Sequence, residues 1–254
     1  MGILTIILFL FCYNQIIAQW KKTSDEISLM TVMLYQQIDQ SDNAKIGTGT
    51  IIEHEKRFYL LTAAHVAKDL KLNGKMFFKV GNDEKYSIDL ILQSLTLNWK
   101  YHNEADIALI ELHPSNKDIE KRFRDFSVSS DNIYDGNELI WKEVELTYFG
   151  FPVVDQNGQH FSPLVFASNH YASGLITQKL NYLDKKCSVF YLDKPSIQGA
   201  SGSALYLAVK KNVEINTLDR TIMIGVVSGT FNDNTGGKLA IIMPSFYIWD
   251  LLKN

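Results

Sequence analysis

The sequence predicts an all-β protein with an antiparallel barrel or sandwich architecture, and three observations support this prediction. Short runs rich in Val, Ile, Tyr and Phe are separated by turn residues, a pattern typical of strands. Only two stretches resemble helical turns, AHVAKDL from residue 64 and SFYIWDLL near the end. A polar and charged stretch at 114–143 separates two β-rich parts. Many short strands with few helices are typical of antiparallel β folds.

The predicted strands fall into two groups, one on each side of the polar stretch. We therefore expect an N-terminal half over 27–113, a connecting segment over 114–143 and a C-terminal half over 144–254. The eleven predicted strands lie at 27–35, 47–53, 58–63, 75–80, 106–112, 144–150, 173–177, 187–192, 203–209, 222–231 and 238–243.

The composition is that of an ordinary globular protein. Of the 254 residues, 46% are hydrophobic and 21% are charged, which is enough to bury a full core. The formal net charge of -3 and the absence of long Lys or Arg runs leave no basic surface for phosphate backbones. Nucleic acid is therefore not an expected partner.

The first eighteen residues are predicted to be a secretory signal peptide. Their apolar run from Ile3 to Tyr13 is short for a membrane span, and small Ala18 marks a cleavage position. We expect a secreted or periplasmic protein with no stable membrane partner after cleavage. The alternative is an uncleaved N-terminal membrane anchor.

The chain has two cysteines, and signal cleavage would remove Cys12. Cys187 would then be a free thiol without a disulfide partner, and its apolar surroundings predict a buried strand residue. Paired thiols at metal-ligand spacing and an H-E-x-x-H motif are both missing from the sequence. We expect neither a metal nor another cofactor.

A serine between glycines stands out in the stretch QGASGSALY at 198–206. Glycines allow close backbone approach and tight turns, so they can expose an attackable hydroxyl at Ser201. Hydroxyl attack on a carbonyl also needs donors for the developing oxyanion. We expect these donors to be the backbone N–H groups of Gly199 and Ser201.

A serine nucleophile needs a base, and the base needs a group that fixes its tautomer. His65 follows two small alanines at the end of an apolar strand, and Asp106 opens another apolar strand. These positions predict that His65 takes the Ser201 proton and that Asp106 orients the imidazole.

The stretches TAAH at 62–65, DIAL at 106–109 and GASGS at 199–203 occur in the chain order His, Asp, Ser. In that order they resemble the chymotrypsin-like (trypsin-fold) serine peptidases. The nearest members are the bacterial HtrA-like and related secreted trypsin-like peptidases. The resemblance covers about residues 27–252 and includes GTGTII, YFGFP, SGLIT and GVVSG.

The resemblance implies two antiparallel β-barrels, a trypsin-like double barrel, with a short C-terminal helix and the site in the cleft between the barrels. It implies that Ser228 lies near Asp106 on the strand that lines the substrate channel. It also implies a pocket for the side chain that precedes the scissile bond. The substrate-binding residues implied are Pro195, Ile197, Ser228, Gly229 and Thr230.

The same resemblance implies a substrate preference. Uncharged Pro195 stands at the pocket floor, where enzymes that cut after Lys or Arg carry an acid, and Asp193 is expected to face away. A buried cation without a partner is unfavourable. Small or medium apolar residues are therefore the expected preference.

Two departures from the family pattern limit what can be carried over. Ala200 replaces the aspartate that pairs with a new N-terminus in animal digestive relatives, so activation by N-terminal insertion is not expected. The chain after Ser201 has room for the second barrel and a terminal helix, so an added PDZ domain is not expected.

The sequence thus predicts an exported serine endopeptidase that hydrolyses polypeptides through an acyl-enzyme. The rival interpretation is a binding or scaffold protein that kept the trypsin fold and lost turnover. A third, an esterase of another fold, is disfavoured because such enzymes use G-x-S-x-G and place the histidine last.

Overall fold

The computed structural model describes most of the chain after residue 19. The predicted signal segment 1–18 and Cys12 lie outside the described residues. The described residues are 20–38, 44–71, 73–80, 84–89, 98–136, 144–152, 161–180, 183, 185–209, 220–233 and 235–253.

The first sheet contains eight strands from the N-terminal part of the chain. Its order is β5-β4-β1-β2-β3-β7-β6, and β8 pairs in parallel with β2. All other pairings in this sheet are antiparallel. The strands are β1 Thr31–Gln37, β2 Ala44–His54, β3 Arg57–Thr62, β4 Lys75–Val80, β5 Glu84–Asp89, β6 Lys100–Tyr101, β7 Ala108–Leu112 and β8 Val128–Ser129.

The second sheet contains seven antiparallel strands in the order β10-β9-β13-β14-β15-β12-β11. An isolated bridge between Tyr171 and Leu192 brings the chain after β10 against β12. The strands are β9 Leu146–Gly150, β10 Leu164–Asn169, β11 Ile176–Lys179, β12 Lys186–Leu192, β13 Ala204–Leu207, β14 Ile222–Asn232 and β15 Lys238–Pro244.

The predicted fold class is confirmed: the protein is mostly β, with two antiparallel sheets and a short C-terminal helix at Phe246–Leu252. The pairings among the described residues run from one edge strand to another, so neither sheet closes into a continuous barrel ladder. The architecture therefore consists of two open sheets, which is consistent with the expected double barrel.

One 3-10 helix, Ser130–Asn132, and four α-helices occur among the described residues, and sequence reasoning missed two of the α-helices. The four α-helices are α1 Ser24–Met30, α2 Ala64–Asp69, α3 Lys117–Asp125 and α4 Phe246–Leu252. The predicted strand at 27–35 is wrong at its start, because α1 occupies residues up to Met30. A capping box explains the helix: the Thr23 hydroxyl accepts from the Glu26 N–H, and the Glu26 carboxylate accepts from the Thr23 N–H.

The polar connection at 114–143 also contains regular structure. Asn116 caps the start of α3, and the side chains of Ile119 and Phe123 are buried against the first sheet. Arg122 donates from Nη2 to the carbonyls of Leu29 and Lys79 at 3.0 and 2.8 Å. These bonds attach α3 to the first sheet and its leading helix.

Four strands were not predicted: β5, β6, β8 and β10. Two of these have only two residues, and β10 exposes the apolar side chains of Leu164 and Val165. Strands this short or this exposed do not show a clear alternation of buried and exposed residues.

Three buried clusters form the core. One fills the first sheet around Leu60 and Phe78, and one fills the second around Tyr148 and Phe190. The third joins residues of both sheets, including Ile52, Leu109, Phe149 and Met243. This shared cluster fixes the two sheets against each other, so the cleft between them has a defined shape.

Candidate active site

Three side chains from separate elements meet beside one cavity. His65 lies in the first turn of α2, Asp106 lies in the loop before β7, and Ser201 lies in the turn before β13. His65 and Ser201 both line a cavity of about 280 Å³. The structure therefore brings together the residues of the three sequence motifs.

His65 is bonded twice to the carboxylate of Asp106. Its ring Nδ1 lies 2.7 Å from Oδ2, and its backbone N–H donates to Oδ1 at 2.9 Å. A carboxylate accepts, so Nδ1 carries a proton and the neutral imidazole has its lone pair on Nε2. The side chain of Asp106 is 1% exposed and that of His65 is 42% exposed. This arrangement fixes the tautomer of an imidazole that remains partly exposed to solvent.

Ser228 links Asp106 to Ser201. The resemblance implied a position for Ser228 near Asp106. Its hydroxyl donates to Asp106 Oδ2 at 2.6 Å, and its carbonyl accepts from the Ser201 hydroxyl at 3.0 Å. The register of β14 against β15 shifts between Val227 and Gly229, so Ser228 sits on a β-bulge. Bulges redirect side chains at functional sites, and this one turns Ser228 towards the carboxylate.

The Asp106 carboxylate accepts three hydrogen bonds, two from His65 and one from Ser228. A buried charge without such donors would be strongly disfavoured, because it loses its hydration. The donors allow a carboxylate to sit at 1% exposure directly behind the imidazole. In this conformation the Ser201 proton points at the Ser228 carbonyl.

Gly199 occupies the third position of a turn that the N–H of Ala200 closes on the carbonyl of Ile197 at 3.0 Å. Its φ of 92° is the value that a type II turn requires there and that favours glycine. A Cβ on Gly199 would also lie 2.3 Å from the Phe151 carbonyl oxygen. Among the hydrogen bonds of the described residues, none uses the N–H of Gly199 or that of Ser201.

The segments implied to wall the substrate pocket lie next to each other. Pro195 and Ile197 are exposed, and Gly229 and Thr230 are partly buried. The Thr230 hydroxyl donates to the Ser196 carbonyl at 2.8 Å and lies 2.7 Å from the Ser196 hydroxyl. Sequence reasoning missed Ser196, because a serine in KPSIQ carries no local signal for this contact.

The loop before Asp106 is held by His102. Its ring Nδ1 accepts from the N–H groups of Glu104 and Ala105 at 3.1 and 3.0 Å, so this nitrogen is unprotonated. Nε2 lies 3.5 Å from Asp250, and the ring packs on Tyr247. Burial lowers the pKa of His102 below its usual range, and the positive charge of Lys185 lowers it further. The carboxylates of Asp250 and Glu104 raise this pKa, but their effect is smaller than that of burial.

We expect the titration of His102 to make the fold sensitive to acid. In the unfolded chain this pKa returns to about 6.5, so stability is lost as the pH falls from about 6.5 through the lower pKa of the folded state. An asparagine side chain can accept the same two N–H groups without titrating. The free energy of unfolding of His102→Asn, measured with urea, should therefore decrease less between about pH 7.5 and about pH 5 than that of the wild type. Equal decreases in the two proteins would contradict this role.

Cys187 is a buried free thiol, and burial raises its pKa to about 11. In the described ranges, no group of three or more His, Cys, Asp and Glu side chains is arranged to hold a metal ion. No helix within the same ranges is long and apolar enough to span a membrane.

The chain has the fold of the trypsin-like serine proteases, as its likeness to solved structures shows, and the predicted resemblance is confirmed at the level of the fold. One similar structure is the Rv3671c protease from M. tuberculosis in its active form, with a TM-score of 0.56 and 13% identity over 90% of this chain and 82% of that one. Another is the apo MamO protease domain from Magnetospirillum magneticum, with a TM-score of 0.58 and 13% identity over 89% of this chain and 96% of that one.

The thermostable serine protease AL20 from an extremophilic microorganism is a third similar structure, with a TM-score of 0.51 and 11% identity over 90% of this chain and all of that one. No protein-family profile matches the sequence. No curated protein sequence matches it either. The likeness therefore establishes the fold alone.

Proposed function

We propose that this protein is a serine endopeptidase that hydrolyses peptide bonds through an acyl-enzyme. The observation that carries the proposal is the arrangement of His65, which is bonded to buried Asp106 and lines the same cavity as Ser201. The N–H groups of Gly199 and Ser201, which no hydrogen bond among the described residues uses, support it, because attack by serine needs oxyanion donors. A polypeptide is the proposed substrate.

In the first step the Ser201 hydroxyl turns from the Ser228 carbonyl to His65 Nε2. The Oγ atom attacks the peptide carbonyl carbon while its proton passes to Nε2. The carbonyl oxygen becomes an oxyanion and accepts from the N–H groups of Gly199 and Ser201. The Asp106 carboxylate stabilises the imidazolium that forms.

In the second step the imidazolium gives its proton to the leaving amine as the C–N bond breaks, which leaves an ester on Ser201. A water molecule then attacks the ester while His65 again takes the proton. Release of the carboxylate product restores the Ser201 hydroxyl. Hydrogen-bond contacts in this type of site are often long or turned aside until substrate binds.

Mapping of new N-termini in a denatured proteome tests the proposed activity. The purified protein is incubated with the proteome, and Ser201→Ala is incubated in parallel as the control. We expect new N-termini in the wild-type sample alone, mostly after small or medium apolar residues. No excess over the control would contradict the activity, and dominant cleavage after Arg, Lys or Glu would contradict the preference.

The contacts of Thr230 support the expected preference for small or medium apolar residues. Its side chain spans the gap to Ser196, the neighbour of Pro195 at the proposed floor, and so narrows the space for a substrate side chain. The acidic residue nearest to Pro195 in the sequence is Asp193. Its carboxylate accepts from the His170 N–H at 2.8 Å, so we do not expect it to face this gap.

Thr230→Gly is expected to widen the pocket. With peptides that differ only in the residue before the scissile bond, kcat/KM for phenylalanine relative to alanine should rise by about tenfold or more. Ser196→Ala keeps the backbone acceptor and should change this ratio less. An unchanged ratio in Thr230→Gly would show that this side chain does not limit the pocket.

We also propose that the protein is exported and that the chain begins near Gln19 or Trp20 after signal cleavage, with the alternative of a retained membrane anchor. The proposal rests on the apolar run that ends at Ala18. Intact-mass measurement of protein recovered from its native compartment should give the mass of the shortened chain with one free thiol at Cys187. A mass that includes Met1 to Ala18 would favour the anchored form.

A further inference from the structure

A buried threonine of the first sheet is hydrogen-bonded directly to residues 199–201, which precede β13 of the second sheet and are called the oxyanion segment below. Thr48 lies in β2 and its residue is 0% exposed. Its hydroxyl is 2.8 Å from the Gly199 carbonyl oxygen and 2.9 Å from the Phe151 backbone nitrogen. Because the Phe151 N–H can only donate, the hydroxyl accepts from it and gives its single proton to Gly199.

The backbone of Thr48 strengthens this connection. Its N–H donates to the Ser201 carbonyl at 2.8 Å, and its own carbonyl accepts from the Thr62 hydroxyl at 2.7 Å. A Cβ on Gly202 would lie 2.0 Å from the Thr48 carbonyl oxygen, so the two segments approach as closely as only glycine permits.

The consequence concerns the direction of the peptide groups in the oxyanion segment. The carbonyls of Gly199 and Ser201 are both held by Thr48, and the carbonyl of Ala200 accepts from the Ser203 N–H at 3.0 Å. Every carbonyl of this segment thus has a donor on the protein side. Within residues 199–201, the N–H groups of Gly199 and Ser201 are the backbone groups that no hydrogen bond of the described structure uses.

We propose that Thr48 is a positioning residue: its hydroxyl holds the N–H groups of Gly199 and Ser201 in the direction that an oxyanion requires. This inference rests on the proposed peptidase function. The hydroxyl acts through Gly199 and links that residue to Phe151; both residues flank strands of the second sheet, whereas Thr48 lies in the first. Without the hydroxyl, the Gly199 carbonyl and the Phe151 N–H lose a buried partner, and the oxyanion segment can relax. Stabilisation of the transition state should suffer more than binding of the ground state.

Kinetics of Thr48→Val test the inference, because valine keeps the shape and lacks the hydroxyl. We expect kcat for a peptide substrate to fall by about tenfold to a hundredfold, a part of what loss of a whole oxyanion donor costs. KM should stay within about threefold of the wild-type value. The affinity of a peptide aldehyde, which forms a hemiacetal oxyanion with Ser201, should fall by the same factor as kcat.

Two comparisons separate positioning from general destabilisation. Thr48→Ser and Thr48→Ala differ by one oxygen atom, so kcat should remain near the wild-type value in the first and fall in the second, even if Thr48→Val does not fold. Thr50→Val removes a buried hydroxyl from the same strand two residues further on. This control should keep kcat within about threefold of the wild-type value.

The outcomes distinguish the inference from the function on which it rests. Wild-type protein that neither cleaves peptides nor reacts with the aldehyde would overturn both. Active wild-type protein with equal kcat in Thr48→Ser and Thr48→Ala would overturn the role of Thr48 alone. A loss that appears only in KM would also overturn it, because the hydroxyl would then serve substrate binding.

Discussion

Replacement of Ser201 by alanine is expected to lower the turnover number by a factor on the order of 10⁶. The alanine cannot form the ester intermediate, and what remains is catalysis by the oxyanion donors and by substrate binding. Because the members of a triad act as a unit, His65→Ala should cost about as much, and the double variant should be little worse than either single one.

The comparison needs a control for changes in the same loop. Ser203→Ala removes a buried hydroxyl two residues beyond Ser201 and should retain turnover. Initial rates with a fluorogenic peptide and circular dichroism spectra of each variant give the measurement. Turnover near the wild-type value in a folded Ser201→Ala protein would refute the assignment of the nucleophile.

The second large effect is expected from Asp106→Asn. In the present structure the carboxylate accepts from His65 Nδ1 at 2.7 Å and from the Ser228 hydroxyl at 2.6 Å. An amide whose oxygen keeps accepting from the His65 backbone N–H has its NH₂ group in the place of Oδ2, where it donates to the ring and moves the imidazole proton to Nε2. Since Nε2 must accept the serine proton, kcat at neutral pH should fall by about 10⁴.

A second measurement shows whether the fall in kcat in Asp106→Asn comes from the changed tautomer or from loss of the fold. The size of the side chain is unchanged, so the variant should fold and bind a peptide aldehyde, although more weakly. Loss of kcat of less than about tenfold would show that Asp106 does not set the tautomer. A variant that fails to fold would be replaced by Ser228→Ala, which removes one of the three donors and should lower kcat less.

Much of the fold could be predicted from local patterns. The strand predicted at 75–80 has the bounds of β4, Lys75–Val80, because Met76 and Phe78 alternate with more exposed residues. The helix at Ser24–Met30 was missed although TSDE at 23–26 has the spacing of a capping box. The open edges of the sheets depend on pairing between distant strands, and no local pattern reports that.

In the candidate site, residues within local motifs could likewise be predicted, whereas contacts between distant residues could not. The three motifs with His65, Asp106 and Ser201 could be found because each has small or apolar neighbours of a recognisable type, and their catalytic roles stay predictions. The bond from Thr48 to Gly199 joins residues 151 positions apart, and the contact of Ser196 with Thr230 joins residues 34 apart. Such contacts arise only when the two sheets, or two strands of one sheet, are assembled.

Labelling with a fluorophosphonate tests the central claim most directly, because the reagent reacts with a serine only when a base activates its hydroxyl. The Ser201 oxygen attacks phosphorus and fluoride leaves. We predict one adduct, located at Ser201 by peptide mass spectrometry, that is absent from Ser201→Ala and strongly reduced in His65→Ala. Folded wild-type protein that remains unlabelled at Ser201 would contradict the account and favour a trypsin-fold scaffold without turnover.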